Sequence, residues 1–379
     1  MKHSEQTKKL RVFLLLFMLS FFSYAQQKIP AKTDVLEKMV LANDYYMNKW
    51  PDPGTDIVKD KVRPSNIWTR ATYYEGLMAL YQTEPDQKLL DYAINWGKSH
   101  DWELAYKKIS RDGDNMCCGQ TYLDLYKMDP QPERMKAIRE AVDQMIATDK
   151  IDDWWWIDAL QMAMPVFARL GAITGEEKYW DRLYEMYMYT KTEQGGNGLY
   201  NPKDQLWWRD ASFVPPYKEP NGEDCYWSRG NGWVIAAMVR VLEQNPQKHK
   251  EEYAKMLKSM SKALVKVQRE DGFWNVSLHD PTHFGGPEAS GTAFFVYGMA
   301  WGINHGYLKK GKYLEPVLKG WKALCEKSLH INGFLGYMQG TGKEPASSQP
   351  VGYDVVPNFE DYGLGAFLLA GSEVYKLAQ

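Results

Sequence analysis

The sequence predicts an all-α fold in which twelve helices pair as hairpins and close into an (α/α)6 barrel. Three observations carry this reading. Apolar residues recur near i, i+3, i+4 and i+7 in twelve separate segments beyond residue 30. These segments alternate between polar-faced ones and ones rich in Gly, Ala and aromatics, as expected for outer and inner rings. Strand signals are scarce: there is no β-α alternation and no G-x-G-x-x-G after a strand, which argues against a dinucleotide fold. A stacked helical-repeat solenoid is the competing architecture, but no fixed sequence period supports it.

In order, the periodicity predicts helices over Asp34–Trp50, Thr69–Thr83, Asp86–Lys98, Gly119–Lys127, Pro132–Lys150, Ile157–Leu170, Glu177–Gly195, Gly232–Gln244, His249–Gln268, Gly291–Tyr307, Leu314–Ser328 and Gly363–Leu377. Pro or Gly bounds several of them. The connections at 111–118, 154–158, 198–210, 215–233, 272–291 and 333–362 gather Trp, Asp, Asn, His and Gly. Long loops of that character inside a compact domain tend to carry function. With no low-complexity linker between segments, residues 26–379 read as one domain.

Residues 1–25 read as a signal peptide, with Lys8, Lys9 and Arg11 ahead of an apolar run from Val12 to Tyr24 and small residues Ser23 and Ala25 before Gln26. No later segment reaches about 18 continuous apolar residues, so no membrane insertion is expected after cleavage. The expected location is the periplasm. The 379-residue chain carries 46 Lys and Arg against 48 Asp and Glu; without the first 25 residues the balance is 42 against 47, a net of −5. That excludes the basic surplus that nucleic-acid binding uses. Cys117 and Cys118 are adjacent, Cys225 and Cys325 are isolated, and no C-x-x-C occurs, so all four read as buried small hydrophobes, with pairing to Cys225 or Cys325 left open.

Aromatic residues make up 14% of the chain, with Trp 15 and Tyr 25, many of them beside polar residues. Such side chains fill a helical core or stack on sugar rings. In Trp154-Trp155-Trp156-Ile157-Asp158, a carboxyl follows three indoles and opens an apolar helical segment. Burial there raises its pKa and suits it to general-acid work near neutral pH. Asp152 and Asp153 fit helix-capping roles better. In Trp227-Ser228-Arg229-Gly230-Asn231-Gly232-Trp233, the glycines suggest a turn with close backbone approach or positive φ. Arg229 offers a fork matched to a carboxylate, flanked by the flat faces of Trp227 and Trp233. Asp114, in Arg111-Asp112-Gly113-Asp114-Asn115, is a candidate second carboxylate. His279 and His283 have a zinc-like spacing, but Pro281 breaks the helix that would align them, so neither metal nor cofactor is expected.

The stretches Trp156-Ile157-Asp158 through Met164-Pro165-Val166-Phe167-Ala168-Arg169-Leu170-Gly171, Trp227 to Trp233, Gly272-Phe273-Trp274, Glu288-Ala289-Ser290-Gly291-Thr292-Ala293 and Gly363–Val374 resemble glycoside hydrolase family 105, the unsaturated glycuronyl hydrolases. The likeness runs in order from about residue 35 to the C-terminus, and the family's fold is an (α/α)6 barrel. It implies that the chain acts after a polysaccharide lyase, on oligosaccharides ending in a 4,5-unsaturated uronate. Asp158 then takes the acid/base position, Asp114 the second aspartate, and Trp227, Arg229 and Trp233 the substrate-binding positions. Pectin-directed members carry a His after the Gly-Leu-Tyr/Phe turn; here Gly198-Leu199-Tyr200-Asn201-Pro202-Lys203-Asp204 has none. That departure points away from rhamnogalacturonan products and towards the branch acting on the sulfated glucuronyl-rhamnose of ulvan. Lys203, Arg209 and Lys218 are candidate sulfate donors in the same region. A non-catalytic carbohydrate-binding toroid and an ordinary glycosidase on the same scaffold are the rival functions.

Overall fold

The computed structural model describes residues 28–378; the expected signal segment lies outside the described residues. Twelve long helices and one short one dominate. The outer ring comprises α1 (Lys32–Lys49), α3 (Gln87–Ser99), α6 (Glu133–Ile146), α8 (Glu177–Thr192), α10 (Lys250–Lys266) and α12 (Lys310–Ala323). The inner ring comprises α2 (Trp68–Thr83), α5 (Gly119–Met128), α7 (Asp158–Thr174), α9 (Ser228–Leu242), α11 (Ala289–Asn304) and α13 (Asp361–Leu377). The short α4 (Gly113–Met116) leads into α5. Each inner helix packs against the next, and α13 packs back on α2, which closes the ring. These twelve helices match the twelve sequence segments one for one.

Burial separates the rings. In α10 only Tyr253, Ala254, Met256, Leu257, Met260, Ser261, Ala263 and Leu264 are buried, one face of a helix whose other face is lysine-rich. Every residue of α9 is buried. A helix enclosed on all sides needs small residues wherever a neighbouring backbone comes close. At the ring closure, a Cβ on Gly365 would lie 2.1 Å from the Thr72 carbonyl oxygen, and one on Gly76 would lie 2.5 Å from that of Gly365. The α2–α13 seam therefore depends on absent side chains.

The two mouths of the barrel differ. Inner-to-outer connections are short, as at 84–86, 129–132, 175–176, 243–249 and 305–309. Outer-to-inner connections are long and hold three two-stranded hairpins: Ile57–Val58 with Val62–Arg63, Tyr200–Asn201 with Leu206–Trp207, and Trp274–Asn275 with Pro287–Glu288. All six inner helices begin at this elaborated mouth, so their positive dipole ends collect there.

One boundary differs in an informative way. The helix expected from Gly232 begins one turn earlier, at Ser228, and neither Gly230 nor Gly232 has a positive φ. The glycines serve close approach instead: a Cβ on Gly230 would sit 3.0 Å from Trp227, and one on Gly232 would sit 3.0 Å from Phe294. Between them, the buried Asn231 accepts from the Trp207 N–H at 2.9 Å and donates to the Trp207 carbonyl at 3.0 Å. That side chain replaces a strand partner and pins the loop preceding Asp210 to the inner ring. The four cysteines are unpaired, with Cys117, Cys118 and Cys225 buried.

Adding one methyl group at the seam tests the closure. Gly365→Ala is expected to cost about 1–3 kcal/mol through overpacking. Urea unfolding of the folded variant measures it; unchanged stability would mean that the two helices part freely.

Candidate active site

The site forms where loops 100–118, 147–157 and 193–227 meet the inner helix starts. Asp158 is the first residue of α7 and is 8% exposed. Its position is fixed from both sides of the chain. The Ile157 N–H donates to the Arg209 carbonyl at 2.9 Å, and Trp156 bridges to Asp210. Asn231 holds Trp207 two residues before Arg209, so this loop is anchored twice and delivers Arg209 to Asp158. The Arg209 Nε donates to Asp158 Oδ2 at 3.1 Å, and Nη1 donates to Asp210 Oδ2 at 2.8 Å. The guanidinium lies 5.7 Å from the ring centre of Trp155, which is 50% exposed beside the mouth.

Two opposing effects set the acidity of Asp158. Burial raises its pKa, while the cations Arg209 and then Arg229 lower it; burial wins and the carboxyl stays above its ordinary range. Asp114 lies near enough to feel the Asp158 charge. Its pKa is pushed up to about 8, first by burial, then by Asp112 and Asp158, against Arg209. Asp114 lines a cleft of about 300 Å³ together with Trp68, Asn115, Tyr106, Arg63 and Thr341. Two carboxyls held towards their protonated forms, with one cation acting on both, can donate a proton to a bound molecule and take one from water.

Trp227, Arg229 and Trp233 are buried, each 1% exposed. The Trp227 Nε1 donates to Gln339 Oε1 at 2.8 Å. Arg229 spends its fork on the chain: Nη1 donates to the Gln339 carbonyl at 2.8 Å and to the Tyr362 hydroxyl oxygen at 2.9 Å, and Nη2 donates to the Gly340 carbonyl at 2.7 Å. Its guanidinium is sandwiched between the rings of Trp227 and Tyr362, at 4.5 and 4.9 Å. Trp233 packs on Phe294 at 4.5 Å and edge-on to Trp68 at 6.0 Å. Together with Gln339, whose Nε2 donates to the carbonyls of Glu344, Pro345 and Ser347, they form a floor that ties loop 324–360 to α9.

The structure thus brings Asp114 and Asp158 together and buries Trp227, Arg229 and Trp233 nearby, Trp233 against the Trp68 that lines the same cleft. Sequence reasoning did not single out Gln339, Tyr362 or the half-exposed Trp155, and read Arg209 as a candidate sulfate donor, not as the partner of Asp158. The Arg-Asp dipeptide 209–210 after two tryptophans was the available signal, but nothing local says that it folds onto α7. Of the other proposed anion donors, Lys218 is paired with Asp224 at 2.6 Å and Lys203 is exposed at a hairpin tip. His279 packs edge-on against Tyr226, while His283 meets Glu219.

Replacing Arg209 with Gln removes the main cation opposing burial at Asp158. The carboxyl carbon of Asp158, followed by NMR in labelled protein, is expected to titrate at higher pH in Arg209→Gln than in the wild type. An unmoved titration would show that Arg209 does not control this group.

Comparison with known proteins identifies the family. A solved structure described as glycosyl hydrolase family 88 from Bacteroides vulgatus superposes with a TM-score of 0.82 at 33% identity, covering 91% of this chain and 99% of that one. A second solved chain, described as a polysaccharide lyase, matches at TM-score 0.82 and 32% identity, over 91% and 98% of the two chains. The unsaturated 3S-rhamnoglycuronyl hydrolase of Formosa agariphila is 32% identical over 334 residues, 82% of this chain and 85% of that protein. The profile of Glycosyl Hydrolase Family 88 matches residues 38–378, essentially the whole double ring, and the chain belongs to that family.

Proposed function

We propose that this protein is an unsaturated glycuronyl hydrolase that removes the terminal 4,5-unsaturated uronate from lyase-generated oligosaccharides. The observation that carries this reading is the Asp158 carboxyl. It is buried at the start of an inner helix, raised in pKa, and opposed by Arg209 at 3.1 Å. A carboxyl poised in this way suits protonation of an electron-rich alkene carbon.

In the proposed reaction the protonated Asp158 gives its proton to C4 of the vinyl ether, and positive charge develops at C5. Water adds at C5 and loses its proton to the Asp158 carboxylate, which restores the acid. The hemiketal at C5 then opens, and the hemiacetal it exposes at C1 releases the leaving sugar. No glycosyl-enzyme bond forms, so the two-carboxylate separation rule of retaining and inverting glycosidases does not govern this site. Asp114 supports substrate position as the second carboxyl. Arg209 and the inner helix N-termini favour the uronate's negative charge at this mouth. Trp227, Arg229 and Trp233 support the substrate as the floor beneath it, with Arg229 acting by holding the Gln339–Gly340 segment. Trp155 offers an exposed face for a sugar ring.

As to substrate, we favour the sulfated glucuronyl-rhamnose product of ulvan over the galacturonyl-rhamnose product of pectin. The name of the Formosa relative and the absence of His from 198–204 support this choice. Action in the periplasm after signal cleavage belongs to the same proposal and rests on the composition of residues 1–25. N-terminal sequencing of the secreted chain is expected to read from Gln26; retention of Met1 in the exported protein would refute cleavage.

Ultraviolet absorbance separates the rival activities. Hydration destroys the conjugated uronate, so absorbance is expected to fall with wild-type protein. A lyase, as the second solved relative is described, would raise it on intact polysaccharide, and a binding toroid would leave it unchanged. Asp158→Asn is expected to lower kcat by about 10²–10⁴-fold, the usual reach of a positioned general acid. Undiminished turnover by the folded variant would remove Asp158 from the chemistry. Since the acid must be protonated to act, activity should fall as pH rises through the coupled Asp114–Asp158 ionisation, and Arg209→Gln should move that limb to higher pH. Initial rates on the two product classes decide the substrate: preference for the galacturonyl product would overturn the ulvan assignment.

A further inference from the structure

Glu219, Asp280 and His283 stand apart from the carboxyls described above, where loop 193–227 touches loop 267–288. One ligand atom from each, a carboxylate oxygen from either acid and a ring nitrogen from the histidine, lie within 4.8 Å of one another. His283 Nδ1 is 2.7 Å from Glu219 Oε2. The Glu219 side chain is fully buried, yet its second oxygen, Oε1, has no hydrogen-bond partner. Asp280 is likewise 0% exposed. Its Oδ1 accepts from the Thr282 N–H and hydroxyl at 3.0 and 2.6 Å and from the His283 N–H at 3.1 Å. Its Oδ2 accepts only the Asn221 N–H, at 3.1 Å.

Charge makes this arrangement incomplete as it stands. Among the described residues the one ion-pairing partner of these two carboxylates is His283. Burying an anionic oxygen without a partner is costly, both for the lost hydrogen bond and for the desolvated charge. A single imidazole N–H satisfies one oxygen and leaves Glu219 Oε1 without a donor and Asp280 Oδ2 with one. The Cys225 thiol also lies beside Glu219, but an S–H is too weak a donor to stand in for a cation.

We infer that Glu219, Asp280 and His283 form a binding site for a divalent transition-metal ion of the Zn²⁺ type. One imidazole nitrogen and two carboxylate oxygens are a ligand set that Zn²⁺ accepts, with a fourth position left for water. The His283 side chain is 22% exposed, which gives the ion a path from solvent. The bound ion clips two loops of the mouth that already touch through Asn221, whose Nδ2 donates to the His279 carbonyl at 2.9 Å. Those loops flank the Trp227–Ser277 bridge that leads into α9, so the clip stiffens one wall of the mouth and takes no part in proton transfer. The zinc-like spacing of His279 and His283 is misleading in one respect: the partners of His283 are acids, one of them from a different loop.

The test uses the full chain, stripped with a chelator, dialysed, incubated with Zn²⁺ or Mn²⁺ and desalted. Metal analysis is expected to find about one Zn²⁺ per chain, with Tm above that of the stripped protein, as linkage requires for an ion held only by the folded state. Glu219→Gln and the part-exposed His283→Gln, both folded by circular dichroism, are expected to lose both the ion and the shift. Wild-type protein that retains neither ion, or variants that bind and shift as the wild type does, would overturn the assignment. None of these readouts depends on catalytic activity.

Discussion

The structure depends on one contested carboxyl. Asp158 is pulled towards neutrality by its burial and towards ionisation by the guanidinium of Arg209, and the first of these prevails. Neither influence suffices alone. A fully solvated aspartate is ionised at neutral pH and has no proton to give, whereas a buried one with no cation nearby regains its charge only at high cost. The 3.1 Å contact sets a middle position, from which a carboxyl can both release and recover a proton. Asp114 belongs to the same balance, because the charge of Asp158 helps to raise its pKa.

The helical double ring maintains that balance mechanically. Asp158 is rigid because it begins a helix buried almost throughout. Arg209 is on a loop, and loops are ordinarily the mobile part of a fold. Here the loop is held by backbone bonds to Ile157 and by the Asn231 amide, which occupies the place of a neighbouring strand. A loop residue thereby gains the precision of a helix residue. The asymmetry of the mouths follows the same logic. Short turns at one end leave the long connections, and all six inner helix N-termini, at the other.

Arg229 illustrates how a suitable functional group becomes part of the support. Its planar fork matches a carboxylate, yet it meets two carbonyls and a hydroxyl from the C-terminal loop and α13. Gln339 then extends the connection to three further carbonyls. Such a network ties the loop to α9 and α13, because each buried donor needs its acceptor. Its influence on Asp158 is a field across distance, with no contact needed.

The sequence by itself determined the helical count and pairing, because 3.6-residue periodicity is a local property and ring membership shows in whether one face or every face is apolar. It also exposed Asp158, since three consecutive indoles ahead of a carboxyl announce a desolvated acid. The close approach that Gly230 and Gly232 serve was equally open to inference, though the helix start was not: extended Trp227 bridges to Ser277, a residue some fifty positions away. Only the tertiary structure decided which cation meets Asp158, which groups occupy the fork of Arg229, and that His283 faces Glu219 and Asp280. Each of these is a contact between residues distant in the chain, made where separate loops converge on one mouth. Residue type indicates what a side chain is able to bind, but the route of the backbone determines what lies within 3 Å of it.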